Sequence, residues 1–165
     1  VTLDGYVCRS DSSVDYLERF PIEEFDFGAF VDGIGALIMG STSYRQAVEW
    51  GWMWGDRPTM VLTTRSDLPI PDGADIRFAS TPTADAIRSF AAATPQRLWV
   101  VGGGTVISEG LRGGAIDTLD ITVVPIAIGD GVPLFSAPYE GPMRLADSVP
   151  YANGAIRLVY DVRPG

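Results

Sequence analysis

Apolar positions along the chain fall into short runs, and the runs are of two kinds. Ala36 to Met39 is wholly apolar and bounded by glycines, which suits a strand buried on both faces, and Arg97 to Val101 reads the same way. Thr59 to Thr64 and Ile76 to Ala79 are two further strands. Between these lie segments of helical period. In Glu23 to Asp32 the residues Phe27, Phe30 and Val31 share one face, and Ser41 to Trp50 follows the first buried strand as a helix. Thr81-Pro82 sets a capping hydroxyl before a proline suited to the first helical position, so a helix is predicted from there to about Ala93, with Pro95 ending it. Gly102-Gly103-Gly104 then turns the chain into a short helix over Thr105 to Leu111. Val1 to Val7 reads as a strand end, and Arg9 to Pro21 has turn composition. After these the pattern changes: Ile116 to Val124, Val132 to Phe135, Met143 to Ser148 and Ala155 to Val162 are strands joined by Gly, Pro and Asn turns, which predicts antiparallel pairing. The sum is an α/β fold with three layers, α/β/α, whose mixed, mostly parallel central sheet carries antiparallel C-terminal strands.

With 165 residues, 46% of them hydrophobic and 20% charged, the chain is long enough for one globular domain over 1–165. Twelve basic residues against 21 acidic ones give a net charge of -9, so no diffuse positive field draws in nucleic acid or an anionic membrane. All twelve basic residues are Arg; there is neither Lys nor His. That inventory removes lysine Schiff bases, the P-loop lysine, Ser-His-Asp and Cys-His nucleophilic catalysis, and His-ligated metals. The acidic residues Asp11, Asp15, Glu18 and Glu23 fit no EF-hand spacing and read as solvated, so no metal is expected. A lone Cys8 cannot form an intrachain disulfide, which fits a reducing compartment, and the cytoplasm is expected. No apolar run approaches the ~18 residues of a membrane span, and no signal peptide is evident. Because Val1 opens in a segment that reads as strand, native residues are expected to precede it.

Three junctions lie where an open α/β sheet binds ligands, beyond the carboxyl ends of its strands. At Met39-Gly40-Ser41-Thr42-Ser43-Tyr44, a glycine turn places three hydroxyls at a helix start, where free N–H groups and the positive dipole end favour an anion. The plainer alternative is an N-cap with spare serines. At Val101-Gly102-Gly103-Gly104-Thr105, the glycines remove side chains that would hold a diphosphate away from the backbone, though simple turn chemistry also explains them. The spacing is not that of a Rossmann fingerprint. At Thr63-Thr64-Arg65, two hydroxyls and a forked guanidinium end a strand and suit a phosphate monoester; pairing with Asp67 is the alternative.

The order and spacing of these strings resembles the dihydrofolate reductase-like superfamily. The branch concerned includes the reductase domain of bifunctional riboflavin-biosynthesis deaminase-reductases, the RibD C-terminal domain. Thr2-Leu3-Asp4-Gly5-Tyr6 and the run from Val124 to Phe135 complete the resemblance, which covers nearly the whole chain. It implies an NADPH-dependent reductase, similar to 5-amino-6-(5-phosphoribosylamino)uracil reductase, that passes a hydride to a small heteroaromatic or imine-containing substrate of pterin or pyrimidine type. By the same resemblance Gly40, Ser41, Thr42 and Ser43 hold one side of the diphosphate, and Gly102, Gly103, Gly104, Thr105 and Val106 the other. Thr63, Thr64 and Arg65 face the adenosine phosphate. The family commonly has Arg after the first glycine; here Ser41 stands there, which leaves NADPH against NADH open and shifts weight to Arg65.

The resemblance also places Asp4 and Gly5 near the nicotinamide and substrate, where a carboxylate orients a substrate nitrogen or assists proton delivery. Glu24 and Asp26 lie where true dihydrofolate reductases carry a pterin-gripping carboxylate, although solvated charges at a helix start are the simpler account. Trp50, Trp52 and Trp54 pack three indoles into five positions, expected as a pocket wall or a dimer contact, with core packing as the alternative. Family members often pair through the C-terminal strands, so a homodimer is expected. The rival functions are a true dihydrofolate reductase and a noncatalytic nucleotide- or small-molecule-binding module.

Overall fold

The computed structural model describes residues 1–65 and 67–162; the last three positions of the expected domain, 163–165, lie outside the described residues. In chain order the elements are β1 (Tyr6–Cys8), α1 (Phe27–Asp32), β2 (Ile34–Gly40), α2 (Ser41–Glu49), β3 (Thr59–Leu62), β4 (Ile76–Ala79), α3 (Thr83–Ala92), β5 (Arg97–Gly102), α4 (Gly104–Arg112), β6 (Thr118–Val123), β7 (Val132–Pro133), β8 (Arg144–Pro150) and β9 (Ile156–Asp161). Short 3-10 turns occupy Asp15–Arg19 and Ile22–Glu24. These elements form two compact units, Phe30–Ala115 and Val1–Ala29 with Ile116–Gly165.

The unit Phe30–Ala115 is built on a four-stranded parallel sheet in the order β4-β3-β2-β5. Central strand β2 is the most hydrophobic because it is covered on both faces: Ile34, Ala36, Leu37, Ile38 and Met39 are all buried. Each connection that leaves a strand at its carboxyl end and returns through a helix keeps the strands parallel. Helix α3 buries Ala86, Ile87 and Phe90, spaced to share one face, and α4 buries Val106 and Leu111. The two helices are tied by polar contacts as well: the Thr83 hydroxyl donates to the Glu109 carboxylate, and Arg88 donates to the Gly113 carbonyl at 2.8 Å.

The other unit contains the antiparallel strands. β6, β9 and β8 form a three-stranded sheet in that order, and β1 pairs with β7. Its core gathers Tyr16, Val124 and Ala155, with Phe25, Ile126, Ile128 and Tyr151 packed against them. An Arg157–Asp120 ion pair at 2.5 Å fastens β9 to β6. The parallel sheet with its helices and the antiparallel C-terminal strands are both present as expected.

Several boundaries differ from the sequence reading. The expected strand Val1–Val7 is mostly a turn: the Gly5 N–H donates to the Thr2 carbonyl at 3.0 Å, and the Tyr6 N–H to Thr2 Oγ1 at 2.9 Å, so regular pairing starts only at Tyr6. The expected helix over Glu23–Asp32 is split into a 3-10 turn and α1, which starts at Phe27. Thr81 does not cap α3; Pro82 occupies the cap position with extended ψ, and no side chain caps the helix. Among the described residues no helix is long and apolar enough to cross a membrane, and no cluster of His, Cys, Asp or Glu suited to a metal is found.

Candidate functional site

Strands β2 and β5 are neighbours in parallel, with Ile38 opposite Val100 and Met39 opposite Gly102, so the two glycine-bearing bends leave the sheet side by side. A Cβ placed on Gly40 would stand 3.4 Å from Val106 Cγ2 and 3.8 Å from the Gly103 nitrogen. A Cβ on either Gly102 or Gly103 would lie 3.7 Å from Ser43 Oγ. Residues some sixty positions apart in the sequence therefore meet across one narrow gap.

The glycines in that gap are not equivalent. Gly102 has φ +134°, a conformation that L side chains rarely adopt, so its backbone requires glycine. The peptide between Gly102 and Gly103 is cis. Gly40 (φ −80°) and Gly103 (φ −77°) have ordinary backbone angles, and an added Cβ would find only van der Waals contacts. Neither the backbone nor the packing requires glycine at these two positions. What their missing side chains allow is the close approach of the two bends before two helix starts.

Those helix starts are suited to an anion. α2 and α4 begin at N-caps Gly40 and Gly103, and no side-chain hydrogen bond caps either helix. Ser41, Thr42 and Ser43 are therefore not spent as the cap that the plainer reading allowed. The first N–H groups of each helix have no intrahelical acceptor, and the dipole adds positive potential at the same end. Thr105 is exposed in the first turn of α4, and Val106 is buried against the bend.

On the other side of β2, strand β3 ends at Leu62, directly opposite Gly40, and leads into Thr63, Thr64 and Arg65. Thr63 Oγ1 accepts the Arg65 N–H at 3.0 Å. The guanidinium forks onto Asp67, Nε to Oδ1 at 3.0 Å and Nη2 to Oδ2 at 2.9 Å, with both side chains more than half exposed. This hydrogen-bonded pairing lowers the Asp67 carboxyl below its ordinary range and raises the Arg65 guanidinium. The alternative partner named from sequence is thus the one present, and the phosphate-facing expectation for Arg65 meets a competitor.

The expected catalytic carboxylates are in a different condition. Asp4 is exposed, and its carboxylate accepts from Thr2 Oγ1 at 2.6 Å and from the Gly129 N–H at 2.7 Å. Those two hydrogen bonds, the threonine's first, hold its carboxyl below the ordinary aspartate range. Asp4 is therefore an anion that pins the turn through Gly5 to the Gly129 bend. Glu24 accepts from Asn153 Nδ2 at 2.8 Å, and Asp26 is exposed just ahead of α1. Sequence reasoning missed Gly129 and Asn153 as the partners; the glycine-rich string around 129 was the available signal for the first.

The three tryptophans have three fates. Trp54 is a core residue, edge-on to Trp99 at 5.2 Å, so for this indole the core alternative holds. Trp52 packs on buried Tyr44 at 5.8 Å and donates Nε1–H to the Gly55 carbonyl at 2.8 Å. Trp50 is 65% exposed and Met53 67%, so these two side chains offer the segment's apolar surface. In the other unit a cavity of about 400 Å³ is lined by Arg9, Asp15, Tyr16, Glu18, Arg19 and Ile126 to Ile128. Its Arg9 is paired with Asp15 at 2.6 Å, and none of the expected catalytic, cofactor-binding or substrate-pocket residues lines it.

Comparison with known proteins shows the fold and the family. YwjB of Bacillus subtilis (strain 168), itself uncharacterised, is 27% identical over 97% of this chain and 92% of its own length. A crystal structure from Shewanella sp. PV-4, provisionally named for riboflavin biosynthesis, superposes with a TM-score of 0.80 at 24% identity, covering 99% of this chain and 96% of that one. Dihydrofolate reductase from Enterococcus faecalis, in complex with NADP(H), superposes at 0.72 with 16% identity, covering 99% and 92%. The last two establish a dihydrofolate reductase-like α/β fold. A match to the RibD C-terminal domain runs over residues 1–156, spanning both units and every bend described above, and the chain belongs to that family.

Proposed function

We propose that this protein is an NAD(P)H-dependent reductase acting on a small heteroaromatic or imine-containing compound of pterin or pyrimidine type. The observation that carries the reading is the gap between the β2–α2 and β5–α4 bends, where glycine stands at 40 and 103 without a backbone or packing reason. A diphosphate is the group that fits: it needs close backbone approach, several N–H donors and a positive end, and no lysine is available to supply charge. In this reading the backbone from Gly40 to Ser43 and from Gly102 to Val106 holds it, with the hydroxyls of Ser41, Thr42, Ser43 and Thr105 as added donors. Thr63, Thr64 and Arg65 take the adenosine side.

Bound there, the dinucleotide supplies a hydride. The chain's own contribution is positioning, whose worth in such reactions is large because it removes the entropy of bringing reactants together. Completion of the reduction needs a proton, and this chain has no His or Lys to give one. Asp4, held as an anion by Thr2 and Gly129, is not that donor; the proton comes from water. The engagement of Glu24 by Asn153 disfavours the pterin grip of a true dihydrofolate reductase. A homodimer formed through β6, β9 and β8 belongs to the same proposal, and light scattering that returns the mass of a single chain removes it.

The test is titration with NADPH, followed by tryptophan fluorescence, and then substrate-dependent loss of absorbance at 340 nm with dihydropterin and aminopyrimidine compounds. Saturable binding with turnover supports the reductase. Binding without turnover on any such compound favours the noncatalytic module, and absence of binding refutes the reductase.

A further inference from the structure

We propose that Asp67 sets the cofactor preference of the loop after β3, by occupying the guanidinium that a 2′-phosphate needs, so that phosphorylated and unphosphorylated nicotinamide dinucleotides bind with similar strength. The inference rests on the dinucleotide reading above and adds the residue that tunes it.

Three observations lead there. Arg65 is the sole basic residue between Thr63 and Ile70, and Ser41 stands at the first position of α2, so the positive charge this loop offers a monoester is concentrated in one side chain. That side chain is not idle: both oxygens of Asp67 are engaged by its fork, at 3.0 and 2.9 Å. The Arg65 backbone is fixed in turn by Thr63 Oγ1 at 3.0 Å, so the head group's reach is set by a loop already closed on itself.

The charges then decide the preference. A phosphate monoester carries about −1.5 to −2 at neutral pH, and the Arg65–Asp67 pair presents it with a net charge near zero. Engaging the guanidinium therefore means bringing the phosphate up to a carboxylate. A ribose 2′-hydroxyl is uncharged and meets no such repulsion. Both side chains are more than half exposed, so the fork opens at little cost and either ligand is admitted.

The test measures dissociation constants for NADPH and NADH by calorimetry at low salt, on the wild type, Asp67→Asn and Arg65→Gln. Removing one negative charge about 6 Å from a phosphate is expected to tighten NADPH roughly tenfold in Asp67→Asn and to leave NADH within about twofold. Arg65→Gln is expected to weaken NADPH by about tenfold while NADH changes little, and raising the salt shrinks both effects. Asp67→Ser is a second neutral variant should the amide form a new contact. If both dinucleotides bind the wild type and neither neutral variant moves their ratio by more than about twofold, the role of Asp67 is overturned while the cradle stands. If the wild type binds neither, the dinucleotide reading itself fails and the role of Asp67 goes with it.

Discussion

The bends at the carboxyl edge of the parallel sheet and the turn at the start of the chain both carry residues that the sequence singles out, yet they differ in how their polar groups are spent. At the sheet edge, two helix starts lack side-chain caps, and two glycines with ordinary φ bring the bends close together. At the N-terminal turn, Asp4 already holds two short hydrogen bonds and Glu24 a third from Asn153. Polar groups satisfied from within stabilise a loop. Helix-start N–H groups without a side-chain cap, in a family of dihydrofolate reductase-like fold, are where a ligand's own groups are called for.

The largest effect expected from breaking this contrast is at Gly103. Its φ of −77° accepts any side chain, so Gly103→Val should keep the far-ultraviolet circular dichroism of the wild type while its γ-carbons fill the gap and weaken NADPH by roughly 100-fold or more. Unchanged affinity would falsify the cradle. Next in size is the neighbouring pair of alanine variants. Gly102→Ala forces a Cβ into φ +134° and should cost more than about 1 kcal/mol, seen as a fall in Tm of several degrees, whereas Gly103→Ala should leave Tm unchanged or slightly raised. Equal Tm values for the two would remove the distinction between a glycine kept for its backbone and one kept for a ligand.

The smallest effect concerns Asp4. Because its folded carboxyl titrates below the unfolded value of about 3.9, Asp4 contributes stability at all pH above that value and loses it as pH falls through the folded pKa. Asp4→Asn should therefore lower Tm at pH 7, and the deficit should close as the wild type is acidified below pH ~4. A deficit that stays constant down to pH ~2 would show that the carboxylate charge is not what holds Gly129.

What the sequence made legible follows the same division. β2, α2, β4 and β5 were readable because short apolar runs and glycine bends are local signals, and Ile76–Ala79 was placed to the residue. The meeting of Gly40 with Gly103 was expected only from the family resemblance, because alternation of strands and helices does not say that β2 and β5 are neighbours. The N-terminal turn was not readable, since Val1 to Val7 alternates like a strand and only the Thr2 hydroxyl and the partner bend at Gly129 pull it closed. Nor could composition sort three tryptophans two residues apart into core, half-buried and exposed, because that depends on where Trp99 and Tyr44 lie. The Arg65–Asp67 fork was visible as an alternative, and the geometry selected it.

A crystal structure of the complex with NADPH tests the central claim most directly. The account predicts diphosphate oxygens within about 3.2 Å of backbone nitrogens at both the α2 and the α4 starts, bridging the space before Gly40 and Gly103. A dinucleotide bound with its diphosphate elsewhere, touching one bend or neither, would contradict it.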